Sequence, residues 1–419
     1  MKKGISIGIA AMLAFSSYSP SVLAKVENVG SINDSTENAV VVKSLSLENA
    51  NQYALNSSYM LKELAIQIDR LKKVEEKINR NYKDAKESLD DLREVRDDLW
   101  DYYIQSPATP EEQAINRQLI EQIQLLNSNI KSLENTVPQL ENQLDDFVYN
   151  KKILENNYTQ VSETIKFSIM SSFVGLLLSQ QQLELMKSTL QVQQTQLNSA
   201  KKRYELGLIS KKDLDQSTRE LKGLKDEMTK LETELSNNKA NFALTLGVSN
   251  ADFTLVEPKI EELSLITQEK PTKELIDNSY NILNTKTELE LAEDALEEVD
   301  DITGWAREDK DLAQIDIELS KLKIEKDKAN LEVAINNLFT QVKNQYQILQ
   351  DAEDDLNLAK ADVKDTQLYY ELGLVSKQNY EFSKVKIEQA QINYDNAKYQ
   401  YYVLQQKVEV LNSGVIITN

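Results

Sequence analysis

Tyr204-Glu-Leu-Gly-Leu-Ile-Ser-Lys211 returns almost unchanged as Tyr370-Glu-Leu-Gly-Leu-Val-Ser-Lys377, 166 residues later. Long helix-forming sequence flanks both copies. A glycine in the middle of each copy, followed by a serine, reads as a helix end, a left-handed turn and a new helix start. The chain therefore uses one helical hairpin twice, with a tight turn at the same place in each.

Glycine and proline are sparse enough to map the remaining helix ends. There are 10 Gly and 6 Pro, and no Gly lies between Gly30 and Gly175. The breaks fall at Ser106–Pro110, Gly207, the linker from Gly247 to Pro271, Asp300–Gly304 and Gly373. These predict helices over 44–104, 111–205, 211–247, 272–298, 308–371 and 377–412. Apolar residues within them step by three and four, as in Leu119, Ile123, Leu126, Ile130, Leu133, Val137, Leu140, Leu144 and Phe147. That spacing is the seam of helix-on-helix packing in coiled-coil style. Because it runs through Pro138, the proline is expected to kink a helix without ending it. The opposing arm carries Leu71, Val74, Ile78, Ala85, Leu89, Leu92 and Leu99 in the same rhythm. At 1.5 Å per residue the first helix is roughly 90 Å long. Helices of this length cannot wrap a globular core. The expected fold is all-α, an elongated antiparallel coiled-coil bundle with little or no β.

Composition removes most chemistry from consideration. The chain has 419 residues, no Cys, no His and a formal net charge of −20. A thiol nucleophile, an imidazole base or a Cys/His zinc site is therefore excluded. No enzyme, cofactor or metal site is expected. The acidic balance offers no basic stripe for nucleic acid. Residues 1–24 read as a secretory signal: Lys2 and Lys3, an apolar run from Ile5 to Phe15, then Val22-Leu23-Ala24 before the cut. The apolar stretch Ile165–Leu178 contains Lys166 and several serines, and reads as a buried stripe, not a bilayer span.

In its paired turns the chain resembles the TolC-type outer-membrane efflux proteins. The first turn, from Ala200 through Arg203-Tyr204, Gly207 and Ser210 to Asp213-Leu214, is similar to the tip motif of that family. Leu45–Ala50 with Tyr53-Ala-Leu55 resembles the opening helix of its repeat, and Leu246-Gly247 the end of its return helix. The resemblance implies a homotrimer closing a hollow helical cylinder. It also implies exported conduit function in efflux or type I secretion, with a membrane-fusion (adaptor) protein and an inner-membrane transporter as partners. Adaptor docking would fall on Tyr204, Gly207, Ser210, Asp213, Tyr370, Gly373 and Ser376. The plainer reading of the two glycines is helix capping, and Tyr204 and Tyr370 are expected to pack across their own turns.

The far end departs from the family, whose repeats insert pairs of strands that form an outer-membrane barrel. The available segments here, Trp100–Pro110 and Val299–Glu308, are too short for two membrane-length strands. Extra helix, about 72–145, is expected to project as a coiled-coil extension of roughly 45 Å. Trp100, Tyr102, Tyr103 and Trp305 cluster at these breaks, where they cap coiled-coil ends or meet a membrane interface. Beside the second turn, Asn379 stands where the family often has an Asp. The resulting organisation is signal 1–24, linker 25–43, first repeat 44–250, linker 251–271, second repeat 272–414 and tail 415–419. The location expected is the cell envelope: the outer membrane by resemblance, periplasm or cell wall without a barrel. The alternative function is a non-conducting exported coiled-coil spacer or envelope interaction protein.

Overall fold

Helix ends in this chain are fixed by local capping chemistry. The computed structural model describes residues 41–417 apart from Glu262 and residues 302–306, so the signal expected over residues 1–24 and Trp305 lie outside the described residues. The longest helix, α3 (Pro110–Glu205, 96 residues), starts at a capping box. The Thr109 side chain accepts from the Glu112 amide, and the Glu112 carboxylate accepts from the Thr109 amide, with Pro110 at the first helical position. It runs unbroken through Pro138. It returns as α4 (Lys211–Leu246). The second long pair is α7 (Arg307–Glu371) and α8 (Lys377–Asn412).

Two expected helices are each divided. The helix expected over 44–104 is α1 (Leu47–Ser57) followed by α2 (Tyr59–Asp101). Ser58, at φ −62° and ψ 114°, closes one and caps the other, its hydroxyl accepting from the Leu61 amide. The helix expected over 272–298 is α5 (Thr272–Asp277) and α6 (Tyr280–Asp301), separated by Asn278 and the buried Ser279. Neither break contains Gly or Pro, so glycine-and-proline punctuation passes over both. Serine breaks a helix here by offering its hydroxyl to the backbone in place of the next turn.

Every long neighbour is antiparallel. On α2 and α3, Glu75 pairs with Lys151 at 3.3 Å, Tyr82 with Glu141 at 3.4 Å and Arg93 with Glu134 at 2.8 Å. Helix α6 lies on α3 in the same sense: Lys152 is 3.9 Å from Glu290, and amides of Asn156, Asn157 and Gln160 interlock with Asn284 and Asn281. Lys323 of α7 pairs with Glu288 of α6, and Gln181 of α3 meets Asp395 of α8. The end of α6 is thus level with α3 near residue 142. From there α3 continues back to Pro110 beside α2, roughly 45 Å at 1.5 Å per residue. At that extremity Asn116 is buried and bonds both Ile104 backbone groups, its Nδ2 to the carbonyl (2.8 Å) and its Oδ1 from the amide (3.1 Å). Trp100 meets Tyr103 edge-on at 5.6 Å, while Tyr102 stays exposed.

Two hydrophobic cores form where three or more helices meet. The first joins Leu45, Ala50 and Ala54 to Ile169, Phe173, Val174 and Leu177 of α3, Phe242 and Leu246 of α4, and Phe253 and Leu255 beyond it. Helix α3 holds an 18-residue window apolar enough by composition to cross a membrane, a third of it buried. In the apolar stretch 165–178, Ile169, Phe173, Val174, Leu176 and Leu177 are packed in this core. The second gathers Ile282, Leu331, Ile335, Val342, Tyr401 and Leu411. Ile169 and Ile335, separated by the 166-residue offset, occupy matching depths in the two. The only strands among the described residues are β1 (Ser44–Leu45) and β2 (Thr254–Leu255), paired in parallel. They bring the start of the chain onto the linker, helped by Asn250, whose side chain bonds both backbone groups of Val42.

Candidate interface at the helical tips

The two glycine turns have the same hydrogen bonds at the same offset. Gly207 N–H donates to Tyr204 O (2.9 Å) and Leu208 N–H to Arg203 O (2.8 Å). Gly373 N–H donates to Tyr370 O (3.0 Å) and Leu374 N–H to Tyr369 O (2.8 Å). Each is the end of a helix with a left-handed residue, φ being 72° at Gly207 and 74° at Gly373. A Cβ built at either would touch nothing within 4 Å, so glycine is needed for its backbone angle and not for close packing. Helix α3 is antiparallel to α8, and α8 returns from the α7 turn. Both turns therefore sit at the same end of the molecule, opposite the α2–α3 extension.

The helices leaving the turns are capped unequally. Ser210 and Asp213 form a full capping box: the Ser210 hydroxyl accepts from the Asp213 amide, and the Asp213 carboxylate accepts from the Ser210 amide and hydroxyl. These Ser210 bonds hold the Asp213 carboxyl below the usual aspartate range, and the neighbouring Lys212 and Arg203 charges add to the effect. Ser376 accepts from the Asn379 amide at 3.1 Å, but Asn379 returns no carboxylate. The first turn thus has a reciprocal cap and the second has half of one.

The tyrosines also divide. Tyr370 stacks on Tyr380 across its turn, with ring centroids 5.2 Å apart and planes 10° apart. Lys384 lies over the Tyr380 ring and is paired with Glu381. At the corresponding place in the first turn stands Leu214, and Tyr204 remains 40% exposed. Sequence reasoning also missed the apolar surface here. Leu206 and Leu208, and Leu368, Tyr369, Leu372 and Leu374, are all exposed, Leu206 at 73%. The leucines on either side of each glycine are the signal that could have shown it, since a leucine at a solvent-facing turn has no core to enter.

A second apolar surface lies on α7. Ala313, Ile317, Ser320 and Ile324 face inward and lead into the buried Leu331 and Ile335. Leu312, Ile315, Leu319 and Leu322 step by three and four along the other side, and each is at least 50% exposed. One seam is packed and the other is bare.

No family model and no curated protein matches the sequence. Solved structures do match it in shape. The open state of the Neisseria gonorrhoeae MtrE outer membrane channel is similar at a TM-score of 0.52 and 8% identity, over 88% of this chain and 89% of that one. CusC, described in structures of folding and transmembrane channel formation, is similar at a TM-score of 0.51 and 12% identity, over 88% and 92%. At such identities the likeness is one of fold. With its paired turns, antiparallel long helices and two-residue strands, the chain has the helical fold of the TolC-type outer-membrane channels, built without a membrane-length strand among its described residues.

Proposed function

We propose that this chain is the subunit of an exported homotrimeric conduit for efflux or type I secretion, docking a membrane-fusion adaptor through its glycine tips and working with an inner-membrane transporter. The observation that carries the reading is the bare seam of α7. Four large aliphatic side chains in heptad register are what a helix presents to another helix. Along residues 312–322, past the end of α8, the order α2, α3, α6, α7 leaves this seam at the free edge of the helical layer. A neighbouring copy covering it would extend the layer, and a closed ring of copies leaves no edge over. Tyr204, Gly207, Ser210, Asp213, Tyr370, Gly373 and Ser376 build the end at which the adaptor would meet this ring.

Charge placed in the seam tests the assembly. Leu319→Glu with Leu322→Glu should leave the helical content of the mature chain intact and convert it to monomer in light scattering. An unchanged oligomer in the double variant contradicts the interface. A second reading, the non-conducting exported spacer, is favoured by the lack of membrane-length strands among the described residues. Single-channel recording on the reconstituted mature chain separates the two, since a spacer passes no current.

A further inference from the structure

The two tips share a backbone but not a charge. Immediately before the shared Tyr-Glu-Leu-Gly, the first has Lys201, Lys202 and Arg203; the second has Gln367, Leu368 and Tyr369. Beyond the turn, Lys211 and Lys212 correspond to Lys377 and Gln378. Residues 201–213 therefore hold five cations against Glu205 and Asp213, whereas residues 367–379 hold only Lys377 and Glu371. All five cations are exposed, and none is in an ion pair among the described residues. Asp213, the acid nearest Lys211 and Lys212 in sequence, is committed to Ser210.

A chain of net charge −20 thus ends in one positive tip and one neutral tip; both expose the leucines beside their glycine, and the second adds exposed Leu368 and Tyr369 where the first has Lys202 and Arg203. Screening over about 8–10 Å at moderate salt keeps the distant carboxylates from cancelling the cluster. A partner whose contact surface is acidic is attracted to the first tip more than to the second.

We propose that the docking partner is a protein presenting carboxylates to the first tip and apolar side chains to the second. This rests on the docking reading above and adds the partner's chemistry and its rotational register. Rotation that exchanged the two contacts would set carboxylates against Leu368 and Tyr369 and leave the cations unpaired, so one register is selected. An anionic lipid surface would also attract the cations. It offers the same chemistry to both tips, however, and gives no reason for their divergence.

The test uses the full mature chain in its native envelope, with a photo-crosslinking residue at Leu374, to identify what touches the second tip. The captured protein, purified, is then titrated against the purified chain at low and high salt. Lys201→Gln, Lys202→Gln and Arg203→Gln together should weaken binding by at least about tenfold at low salt and flatten its salt dependence. Leu368→Ser with Leu372→Ser should weaken binding and leave the salt dependence as it was. A captured protein that binds the triple variant with unchanged affinity and salt response overturns the charge assignment and leaves docking standing. Failure to capture any protein that binds the purified chain removes docking and this proposal with it. Loss of binding only to vesicles of phosphatidylcholine with phosphatidylglycerol, and not to the captured protein, would make lipid the partner and overturn the proposal.

Discussion

At the scale of single residues, four glycines with positive φ do two different jobs. Gly207 and Gly373 have open space around a hypothetical Cβ, whereas at Gly247 that atom would lie 2.8 Å from Ser57 Cβ, and at Gly414 2.9 Å from Asn278 O. Alanine at Gly207 or Gly373 should therefore cost only the left-handed strain, about 1–2 kcal/mol and confined to the tip. Alanine at Gly247 or Gly414 adds a clash within the packed body, so its loss in urea unfolding should be clearly larger. Equal losses at all four would refute the distinction. Gly207, Gly247 and Gly373 are legible in the sequence as turn signals, whereas Gly414, at the end of the last helix, is not marked as one. The different surroundings of the four are not legible there, because Ser57 and Asn278 come from far along the chain.

Asp213 makes a second residue-scale prediction. Its folded pKa is lowered by the Ser210 bonds, so its contribution is complete above the ordinary aspartate range and is lost as pH falls through the folded value. Acidification should fray the start of α4, seen as faster hydrogen exchange around Lys211–Asp213 after correction for intrinsic rates. The start of α8, capped against Asn379, should not respond through this route. Parallel behaviour of both tips would show that the carboxylate is not the determinant.

At the scale of elements, what the sequence reveals is the seam and what it hides is the joint. The three-and-four rhythm of Leu119 to Phe147 predicts a continuous helix through Pro138, and α3 is continuous there. The division at Ser58, by contrast, is a choice between continuing a helix and capping a new one. Packing of α1 on the first core decides it, and that is a tertiary fact. The amide contacts of Asn156, Asn157 and Gln160 with Asn281 and Asn284 are similarly invisible until α3 and α6 meet. The linker after β2 is held by a comparable device. Fully buried Tyr401 of α8 donates its hydroxyl to Ser264 O at 2.8 Å and accepts from Ile266 N–H at 2.9 Å. Tyr401→Phe keeps the ring and removes both bonds, which should cost about 1–3 kcal/mol in urea unfolding. It should also expose the 256–270 linker to protease. A neutral variant would mean that the linker is held elsewhere.

At the scale of the molecule, the repeated turn, the seams and the helix lengths predict an elongated helical protein with two hairpins. The described residues have that form. The bare side of α7 went unread because its leucines alternate with a packed seam on the same helix. Sequence alone does not distinguish two apolar faces from one broad one. That bare seam, with both tips gathered at one end, is what a ring of copies would cover. Single-particle imaging of the purified chain from residue 25 onward reads out the ring itself. A closed trimer gives three-fold particles about 100 Å or more in length with a hollow axis. A solid rod, or a population of monomers at concentrations where the seam should be covered, would contradict it.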